Sequence, residues 1–389
     1  MIIRNLNKNH HFDHVLLVFP SVFSANSKNM IMSSIIKKLE LENMLVTKTI
    51  CEESCFVFKV NDIVEAACSI KELFGIDRVA IAKQVPNIFS DVISAIITTG
   101  KQIILPKQKY FIKVQISKEA KVNYVGRDIA FVSSGDLIEQ LASTGAHPAR
   151  NESEADKIIL SYIGKDYGYT CFQIDKAHGG MPFGYQNMKV ACSIHNVLSA
   201  ISCLMAIKSG FVPELLILYT SYDELTENVK LFGHIANRMP LKRHNLRIAQ
   251  IDLSDDVDQD LKFILKESIS TKILVQLPEK GVVLPLSAMI YPSWFIELIM
   301  YKITLAKKTP WMPLMLLTDE IRQAAKVFGL EEKLMSIDNL IISTVFKKKD
   351  YYRKHLRKVD VLSKKAMKNM KTISLKVGPN YLHDIIDAI

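Results

Sequence analysis

The pattern of apolar and polar residues predicts two α/β units in the first half of the chain. In the first unit, apolar runs of strand length alternate with segments of helical spacing in the order βαββαβ, which is ferredoxin-like. Asp62 is placed to cap the second helix, and Gly75 follows its end, where a left-handed residue is favoured. The predicted strands are residues 14–19, 44–50, 55–60 and 76–81, and the predicted helices are residues 27–39 and 63–74.

The second unit is predicted to end near Asp175. Its clearest element is residues 110–117, where apolar and polar side chains alternate as in a half-buried strand. Before it, helical spacing begins at Ser90 and is expected to stop at Gly100. The remaining elements are a turn at Gly126-Arg127-Asp128 before another helix, and a hairpin of strands 157–163 and 167–173 around Gly164-Lys165-Asp166.

From Met188 onward, strand-length apolar runs alternate with helix-length stretches. Strands that are apolar almost throughout and are separated by helices indicate a parallel sheet covered on both faces. We therefore expect a multidomain α/β and α+β fold: a ferredoxin-like unit, a further α/β unit and a C-terminal doubly wound parallel sheet. The predicted strands here are residues 189–194, 214–220, 246–253 and 271–277, and the predicted helices are residues 196–208 and 222–237.

Composition and cysteine usage exclude several classes of protein. Apolar residues make up 49% of the chain and charged residues 23%, which is typical of folded protein and not of disordered chains. The six cysteines form no CxxC pair, which argues against a zinc ribbon or a disulfide scaffold. The longest sparsely charged run, residues 282–300, contains Pro285, Pro292 and Glu297, which predicts a buried strand, loop and helix instead of a membrane span. The N-terminus lacks a signal-peptide pattern, so we expect a reduced, cytoplasmic protein.

An excess of positive charge is concentrated near the C-terminus. The chain has 50 Lys and Arg against 40 Asp and Glu, and residues 347–376 alone contain twelve Lys or Arg and two Asp. We interpret this segment as an amphipathic helix that binds nucleic acid or another polyanion, with a merely solvated helix face as the alternative. Its apolar stripe would be Leu356, Val359, Ala366, Met367 and Met370, and its basic face Arg353, Arg357, Lys364, Lys368 and Lys371.

The loop after the first strand of the predicted parallel sheet lacks the residues that usually hold phosphate. In such sheets ligands bind at the carboxyl ends of the strands, and phosphate binders place glycines in this loop. Here the loop reads Ile194-His195-Asn196-Val197-Leu198-Ser199 and contains no glycine. The chain also has no GxGxxG, GxxxxGK[ST] or HExxH motif.

Three other features near this loop have structural explanations that compete with functional ones. His195 is a candidate base, but a lone polar residue at this position is more often a cap or a packed side chain. Cys192 and Cys203 lack adjacent Lys or Arg and are interpreted as buried packing residues. The acidic run 254–258 lacks the glycine and terminal Glu of a calcium loop, and acidic residues are also favoured at helix starts.

A glycine-rich stretch supports a resemblance to a known family. His178-Gly179-Gly180-Met181-Pro182-Phe183-Gly184, followed by Met188-Lys189-Val190, resembles the Gly-Gly-Leu-Pro-Val-Gly junction of the tRNA 4-thiouridine synthetases, or tRNA sulfurtransferases. Gly126-Arg127-Asp128 and the hairpin before Gly179 also lie where that family has similar residues. The resemblance implies a ferredoxin-like domain at 1–83, a THUMP domain at 84–177 and a PP-loop ATP-pyrophosphatase-like domain at 185–389, joined through Gly179, Gly180, Pro182 and Gly184.

The chain departs from this family at the nucleotide loop. With Lys208-Ser209-Gly210 matched to the Lys-Arg-Gly that ends the family's next helix, residues 194–199 fall on the motif Ser-Gly-Gly-x-Asp-Ser. Only the last serine, Ser199, is retained, and Leu198 stands in place of the acidic residue. The family also transfers sulfur through cysteine, whereas no cysteine follows Cys203.

The resemblance therefore implies a tRNA-binding protein with a degenerate nucleotide loop, with no catalytic residue, metal or cofactor expected. Its THUMP unit would engage the tRNA acceptor end. The alternative is an active sulfurtransferase with a divergent loop, which would need ATP and Mg²⁺. A THUMP-linked methyltransferase would need a glycine-rich loop that is absent. The family also suggests a sulfur-carrier protein or a modification enzyme as a partner, and a homodimer as the oligomeric state. The candidate tRNA contacts are Arg127, Arg150, Lys176, Lys348, Arg353, Lys354, Arg357 and Lys358.

Overall fold

A computed structural model shows a multidomain α/β fold, as predicted. It describes residues 14–253, 259–315, 319–335, 349–376 and 385. The chain divides into two compact units, Met1–Gly179 and Gly180–Ile389, and this division falls inside the predicted glycine-rich junction. Within the described residues, no helix is long and apolar enough to cross a membrane. The finer boundary between residues 83 and 84 stays a prediction, because both predicted N-terminal domains lie in the first unit.

The first unit is built on one eight-stranded sheet with four α-helices. Its strands lie in the order β2-β3-β1-β4-β8-β7-β5-β6, and the central pair β4 and β8 is antiparallel. The strands are β1 (His14–Pro20), β2 (Val46–Cys51), β3 (Phe56–Val60), β4 (Ile76–Pro86), β5 (Lys109–Ile116), β6 (His147–Pro148), β7 (Lys157–Ile163) and β8 (Tyr167–Gly179). The helices are α1 (Lys28–Leu41), α2 (Ile63–Ile70), α3 (Phe89–Ile103) and α4 (Gly126–Leu141).

This sheet curls so strongly that its two halves share a core. Strands β1 and β7 are separated by two strands, so in a flat sheet they would lie about 14 Å apart. Yet the rings of Phe19 on β1 and Tyr162 on β7 meet edge to face, with centroids 6.4 Å apart. Val15, Leu17 and Tyr169 are buried in the same cluster. The ferredoxin-like half and the half that follows it therefore fold around a common apolar centre.

A buried glutamate in the turn between β2 and β3 joins the same two halves. The Tyr169 hydroxyl donates to Glu52 Oε1 at 3.2 Å, and the Lys165 amide donates to Glu52 Oε2 at 3.2 Å. Burial, together with the charge of Glu52, raises the pKa of Tyr169, so the phenol remains a donor at neutral pH. A Cβ on Gly164 would lie 2.4 Å from a Glu52 oxygen, which explains the glycine of the predicted hairpin.

The second unit contains a six-stranded sheet in the order β13-β12-β9-β10-β11-β14, which is parallel apart from β14 at the edge. Helices α5 and α6 pack together on one face, and α7 packs with α8 and α11 on the other. The strands are β9 (Lys189–Ile194), β10 (Val212–Tyr219), β11 (Arg243–Gln250), β12 (Gly281–Val283), β13 (Thr309–Trp311) and β14 (Lys371–Lys376). The helices are α5 (Val197–Lys208), α6 (Tyr222–Ala236), α7 (Gln259–Leu274), α8 (Ser293–Leu305), α9 (Asp319–Val327), α10 (Lys349–Lys354) and α11 (Leu356–Lys368).

Several predicted elements are wrong in type or extent. The helix predicted over residues 63–74, with Gly75 just past its end, stops at Ile70. Residues 271–277 are not a strand, because most of them complete α7, a helix buried on nearly all sides, whose short apolar run resembles a buried strand. Helix α3 continues past Gly100, and this glycine lets α3 approach Leu137 of α4, which a Cβ would meet at 2.9 Å. Gly126-Arg127-Asp128 forms the first turn of α4 instead of a turn before it.

The shared core predicts opposite effects for two glycine substitutions. Gly164→Ala should destabilise the first unit by about 1–3 kcal/mol, because the new methyl group overlaps the buried Glu52 carboxylate. Gly135→Ala, on an open face of α4, should stabilise it by about 0.5–1 kcal/mol, because nothing lies within 4 Å of the added Cβ. Urea unfolding of both variants gives the comparison, and equal effects would contradict the packing around Glu52.

Candidate functional site

The loop from Ile194 to Ser199 lies where a doubly wound sheet usually binds its ligand. It follows β9, whose neighbours in the sheet are β10 on one side and β12 on the other. The chain runs from β9 to β10 in one direction and later returns to β12, so the strand order reverses beside this loop.

Hydrogen bonds within the loop use the backbone groups that a phosphate would need. The hydroxyl of Ser199 accepts from the amides of His195 at 2.9 Å and Asn196 at 3.1 Å, and it donates to the Asn196 carbonyl at 2.7 Å. The Ser199 amide in turn donates to Asn196 Oδ1 at 2.8 Å. A hydroxyl offers one donor and two acceptor sites, so Ser199 is fully occupied by its own turn. The arrangement is a helix cap at the start of α5.

The loop is also covered by protein. Ile194 and Leu198 have no exposed surface, and His195, Val197 and Ser199 are 2%, 5% and 1% exposed. Asn196 alone in the loop is half-buried. His195 and Asn196, which match the glycines of the tRNA 4-thiouridine synthetase motif, therefore lie in a loop that is packed and not open.

A buried polar network joins this loop to α7. His195 Nε2 lies 3.0 Å from Glu267 Oε2, and His195 Nδ1 lies 3.1 Å from the Ser193 hydroxyl, which accepts from Ser270 at 2.7 Å. All four side chains are almost completely buried. These are the residue types of a hydrolytic triad, but the acid lies on Nε2 and the serine on Nδ1, the reverse of a triad. Because all of them are buried, the network serves to bind α7 to β9.

The cysteines near the loop are also buried. Cys192 and Cys203 both lie in the core, and the Cys203 thiol donates to the Ser193 carbonyl at 3.7 Å. Burial raises the pKa of Cys192 well above its ordinary value, which keeps it a neutral thiol and a poor nucleophile. The acidic run 254–258 lies outside the described residues.

The glycines of the junction have backbone angles that other residues rarely adopt. Gly179, Gly180 and Gly184 all have positive φ angles, between 63° and 80°. Gly180 also has a packing reason, because a Cβ there would lie 2.6 Å from the Lys208 carbonyl oxygen, beside the hydrogen bond from the Met181 amide. Pro182 and Gly184 follow in the turn that leads into β9.

A buried aromatic side chain helps to fix the basic segment to the second unit. Tyr352 on α10 is buried, its hydroxyl lies 2.7 Å from that of Ser268 on α7, and its ring contacts Trp294 and Phe295 of α8 at centroid distances of 5.4 and 5.9 Å. The predicted single helix is in fact two, α10 and α11, separated at His355. This anchor holds one side of the segment against the core.

The cations of this segment lie mostly on its outer side. Arg353, Lys354 and Arg357 are exposed and Lys358 is half-buried, whereas Lys348 lies outside the described residues. Val359 and Ala366 of the predicted apolar stripe are buried, together with Leu362 and Ser363, which the prediction omitted. Met370 and Lys371 are not on the helix, because α11 ends at Lys368 and β14 begins at Lys371.

A cleft on the sheet of the first unit escaped prediction. It has a volume of about 300 Å³, with Arg78, Lys113 and Lys157 among its cationic lining and Phe172 and Ile174 among its apolar lining. Each basic residue sits on a different strand, so only the folded sheet brings them together. The one signal in the sequence is the alternation of residues 110–117, which turns Lys113 to the face opposite Val114.

Of the three tRNA contacts predicted in the first unit, Lys176 lies next to a residue of this cleft, and Arg127 and Arg150 lie elsewhere. Lys176 is exposed and lies beside Arg78, since the two are paired in register on β8 and β4. Arg127 is exposed at the start of α4, which packs against Val114 on the opposite face of β5 from Lys113. Arg150 is exposed in the loop that follows β6.

Comparisons with known proteins identify the fold and no more. No protein-family model and no curated protein matches the chain. A 4-thiouridine synthetase solved in complex with RNA and with bound ATP superposes with a TM-score of 0.66, at 14% identity, over 93% of this chain and 99% of that one. PH1313 from Pyrococcus horikoshii Ot3 superposes with a TM-score of 0.62, at 18% identity, over 82% of this chain and 100% of that one. The chain therefore has the 4-thiouridine synthetase fold.

Removal of His195 tests the role of the buried network. His195→Ala should lower the free energy of unfolding by about 3–5 kcal/mol, because it leaves the Glu267 carboxylate buried without its partner. Lys230→Ala, which breaks an exposed ion pair with Glu227, should cost less than about 1 kcal/mol. Equal losses of unfolding free energy in the two variants, measured by urea unfolding, would show that the His195–Glu267 pair does not hold α7. If His195→Ala does not fold, Glu267→Gln, which keeps the shape of the side chain, permits the same comparison.

Proposed function

We propose that this protein binds tRNA and does so without nucleotide chemistry at the loop after β9. The observation that carries the proposal is the basic segment α10–β14, which Tyr352 anchors to the core and which presents Arg353, Lys354 and Arg357 to solvent. The shared fold with a 4-thiouridine synthetase solved with RNA supports RNA as the polyanion.

The charges of this segment favour contacts to a phosphate backbone. Residues 349–376 contain ten Lys or Arg and two Asp. One of these acids, Asp360, pairs with Lys272 of α7, and Lys365 lies 3.3 Å from Asp252. Most of the cations are exposed, and exposed cations gain affinity for RNA by releasing condensed counterions, without reading the bases.

The cleft of the first unit supplies a different kind of contact, and we assign it to the single-stranded acceptor end. Phe172 offers a ring for stacking beside Arg78, Lys113 and Lys157, and the combination of an aromatic ring with cations is typical of sites for unpaired nucleotides. A salt bridge of 2.6 Å between Lys113 and Glu152 orients one of these cations. Lys176 extends the same charge along β8.

The residues of the loop do not fit ATP. A triphosphate would need the amides of His195 and Asn196, which Ser199 already occupies, and it would need to displace side chains that are buried. The active sulfurtransferase would also need a reactive cysteine, and Cys192 and Cys203, the two cysteines of the second unit, are both buried. For these reasons we favour RNA binding over catalysis and expect neither ATP nor Mg²⁺ as a cofactor.

The first prediction concerns ATP. Millimolar ATP with Mg²⁺ should leave the melting temperature unchanged, and the protein should show no exchange of pyrophosphate into ATP. Both results follow from the occupied amides of the loop. Micromolar ATP binding that is lost in Ser199→Ala would contradict this and favour the sulfurtransferase.

The second prediction concerns salt. Reversal of Arg353, Lys354, Arg357 and Lys358 to Glu should weaken binding to all tRNAs equally. It should also flatten the plot of log affinity against log salt by about 0.7–0.9 for each lost phosphate contact. Filter binding at 50 and 200 mM salt measures both effects.

A matched control distinguishes the effect of where the cations lie from the effect of the total net charge. Reversal of Lys230, Lys242, Lys280 and Lys326, which are exposed elsewhere in the second unit, changes the net charge equally. This variant should retain most of the affinity and slope. Equal losses in both variants would mean that total charge, not the basic segment, determines binding.

The third prediction concerns the acceptor end. The wild-type protein should bind full-length tRNA more tightly than tRNA trimmed of its single-stranded end. Arg78→Ala combined with Lys176→Ala should abolish this preference, and Arg127→Ala combined with Arg150→Ala tests the other predicted contacts. The exposed Lys101 and Lys109, replaced by Ala, serve as the control. If trimming has no effect on the wild type, the assignment of the acceptor end to this unit is wrong.

A further inference from the structure

The second unit has a polar cleft at the edge of its sheet, apart from the closed loop after β9. It has a volume of about 520 Å³ and lies at the carboxyl ends of β10 and β11. Ligand pockets in proteins commonly have volumes of about 300–1,000 Å³, and in parallel sheets they lie at this end of the strands. None of the loop residues 194–199 lines it.

The antiparallel edge strand builds this cleft. Tyr219 and Gln250, the last residues of β10 and β11, are paired in register, and Ile248 is paired with Lys371, the first residue of β14. Because β14 runs opposite to β11, it starts where β11 ends. This topology brings Lys371, and with it the end of the basic segment, to the edge of the sheet where ligands bind.

The lining offers an apolar floor and a polar rim. Tyr219 and Ile248 are 9% and 3% exposed and form the floor, and burial raises the pKa of Tyr219, so that its hydroxyl remains protonated. Gln250 and Asn369 are exposed amides on the rim and offer both donors and acceptors. A flat base can lie against such a floor while its edge reaches the amides.

The charges in the cleft match a single phosphodiester. Lys365 and Lys371 both line it, and Asp252 Oδ2 lies 3.3 Å from Lys365 Nζ. The ammonium groups of Lys365 and Lys371 can both donate to the oxygens of one phosphodiester. The Asp252 carboxylate remains an acceptor for a base amino group or a ribose hydroxyl.

We propose that this cleft holds one unpaired nucleotide of the bound RNA, with its base on Tyr219 and Ile248 and its phosphate at Lys365 and Lys371. The proposal rests on the proposed RNA binding and names a contact that the phosphate backbone alone would not make. The basic segment would then bind the backbone through α11 and place one nucleotide in the adjacent cleft.

The test uses the full chain, with amide variants that leave the charge unchanged and lysine variants that lower it. Gln250→Ala combined with Asn369→Ala should weaken tRNA binding about tenfold without a change in its salt dependence, because hydrogen bonds to a base are lost and no phosphate contact is lost. The neutral control Gln323→Ala, exposed on α9, should bind as the wild type does. Lys371→Ala should lower both affinity and salt slope, whereas Lys376→Ala, at the other end of β14, should do so less.

Photo-crosslinking locates the contact directly. A tRNA transcript containing 5-bromouridine should crosslink to the peptide that contains Tyr219 or Gln250, and the double amide variant should lose this crosslink. If tRNA binds but the amide variant binds equally and no crosslink forms there, the cleft assignment is overturned and the proposed function stands. If the wild type binds no tRNA, the proposed function fails. Binding of free nucleoside 5′-monophosphates that depends on Gln250 and Asn369, without an effect on RNA, would assign the cleft to a free nucleotide and overturn the RNA assignment.

Discussion

The hydrogen bonds of one serine hydroxyl determine what the second unit is able to do. Ser199 accepts from two successive amides and donates to a carbonyl of the same turn, so the start of α5 is closed on itself. A phosphate-binding turn needs those amides free and needs room for the ligand beside the backbone. In this chain Val197 and Leu198 of the same turn are packed in the core. The usual ligand position of the sheet is therefore part of its core.

Helix α7 connects this closed loop to the basic surface. On one side Glu267 and Ser270 hold His195 and Ser193, and on the other side Ser268 holds Tyr352 at the start of the basic segment. The contact between Lys272 and Asp360 fixes α11 to the same helix. The closed loop and the cationic surface thus both make contacts with the same packed helix. A substitution in α7 would alter both the loop after β9 and the anchor of the basic segment.

Periodicity predicted most amphipathic elements, and apolar runs predicted buried strands of the second unit, but a short apolar run alone does not distinguish a buried strand from a buried helix. Residues 271–277 were mistaken for a strand because α7 is buried on nearly every side, which removes the period of 3.6. Strand β14 is short, exposed over most of its length and follows a basic helix, so its pairing with β11 is visible only in the fold. The loop at 194–199 follows β9, the strand that the apolar run predicted, but the buried partner of His195, Glu267, is 72 residues away and has no local signal. The cleft around Arg78 and Lys113 likewise depends on strand pairing between distant segments.

Two kinds of polar surface separate affinity from selectivity in the proposed function. Exposed cations on α10 and α11 act on any phosphate backbone and lose strength as salt rises. The cleft with Phe172 and Arg78 and the cleft with Tyr219 and Lys371 each combine an aromatic ring with a cation, which favours nucleotides whose bases are unpaired. Neither surface uses a residue of the loop after β9. Closure of that loop leaves every proposed RNA contact intact, so a closed loop after β9 and RNA binding are physically compatible in one fold.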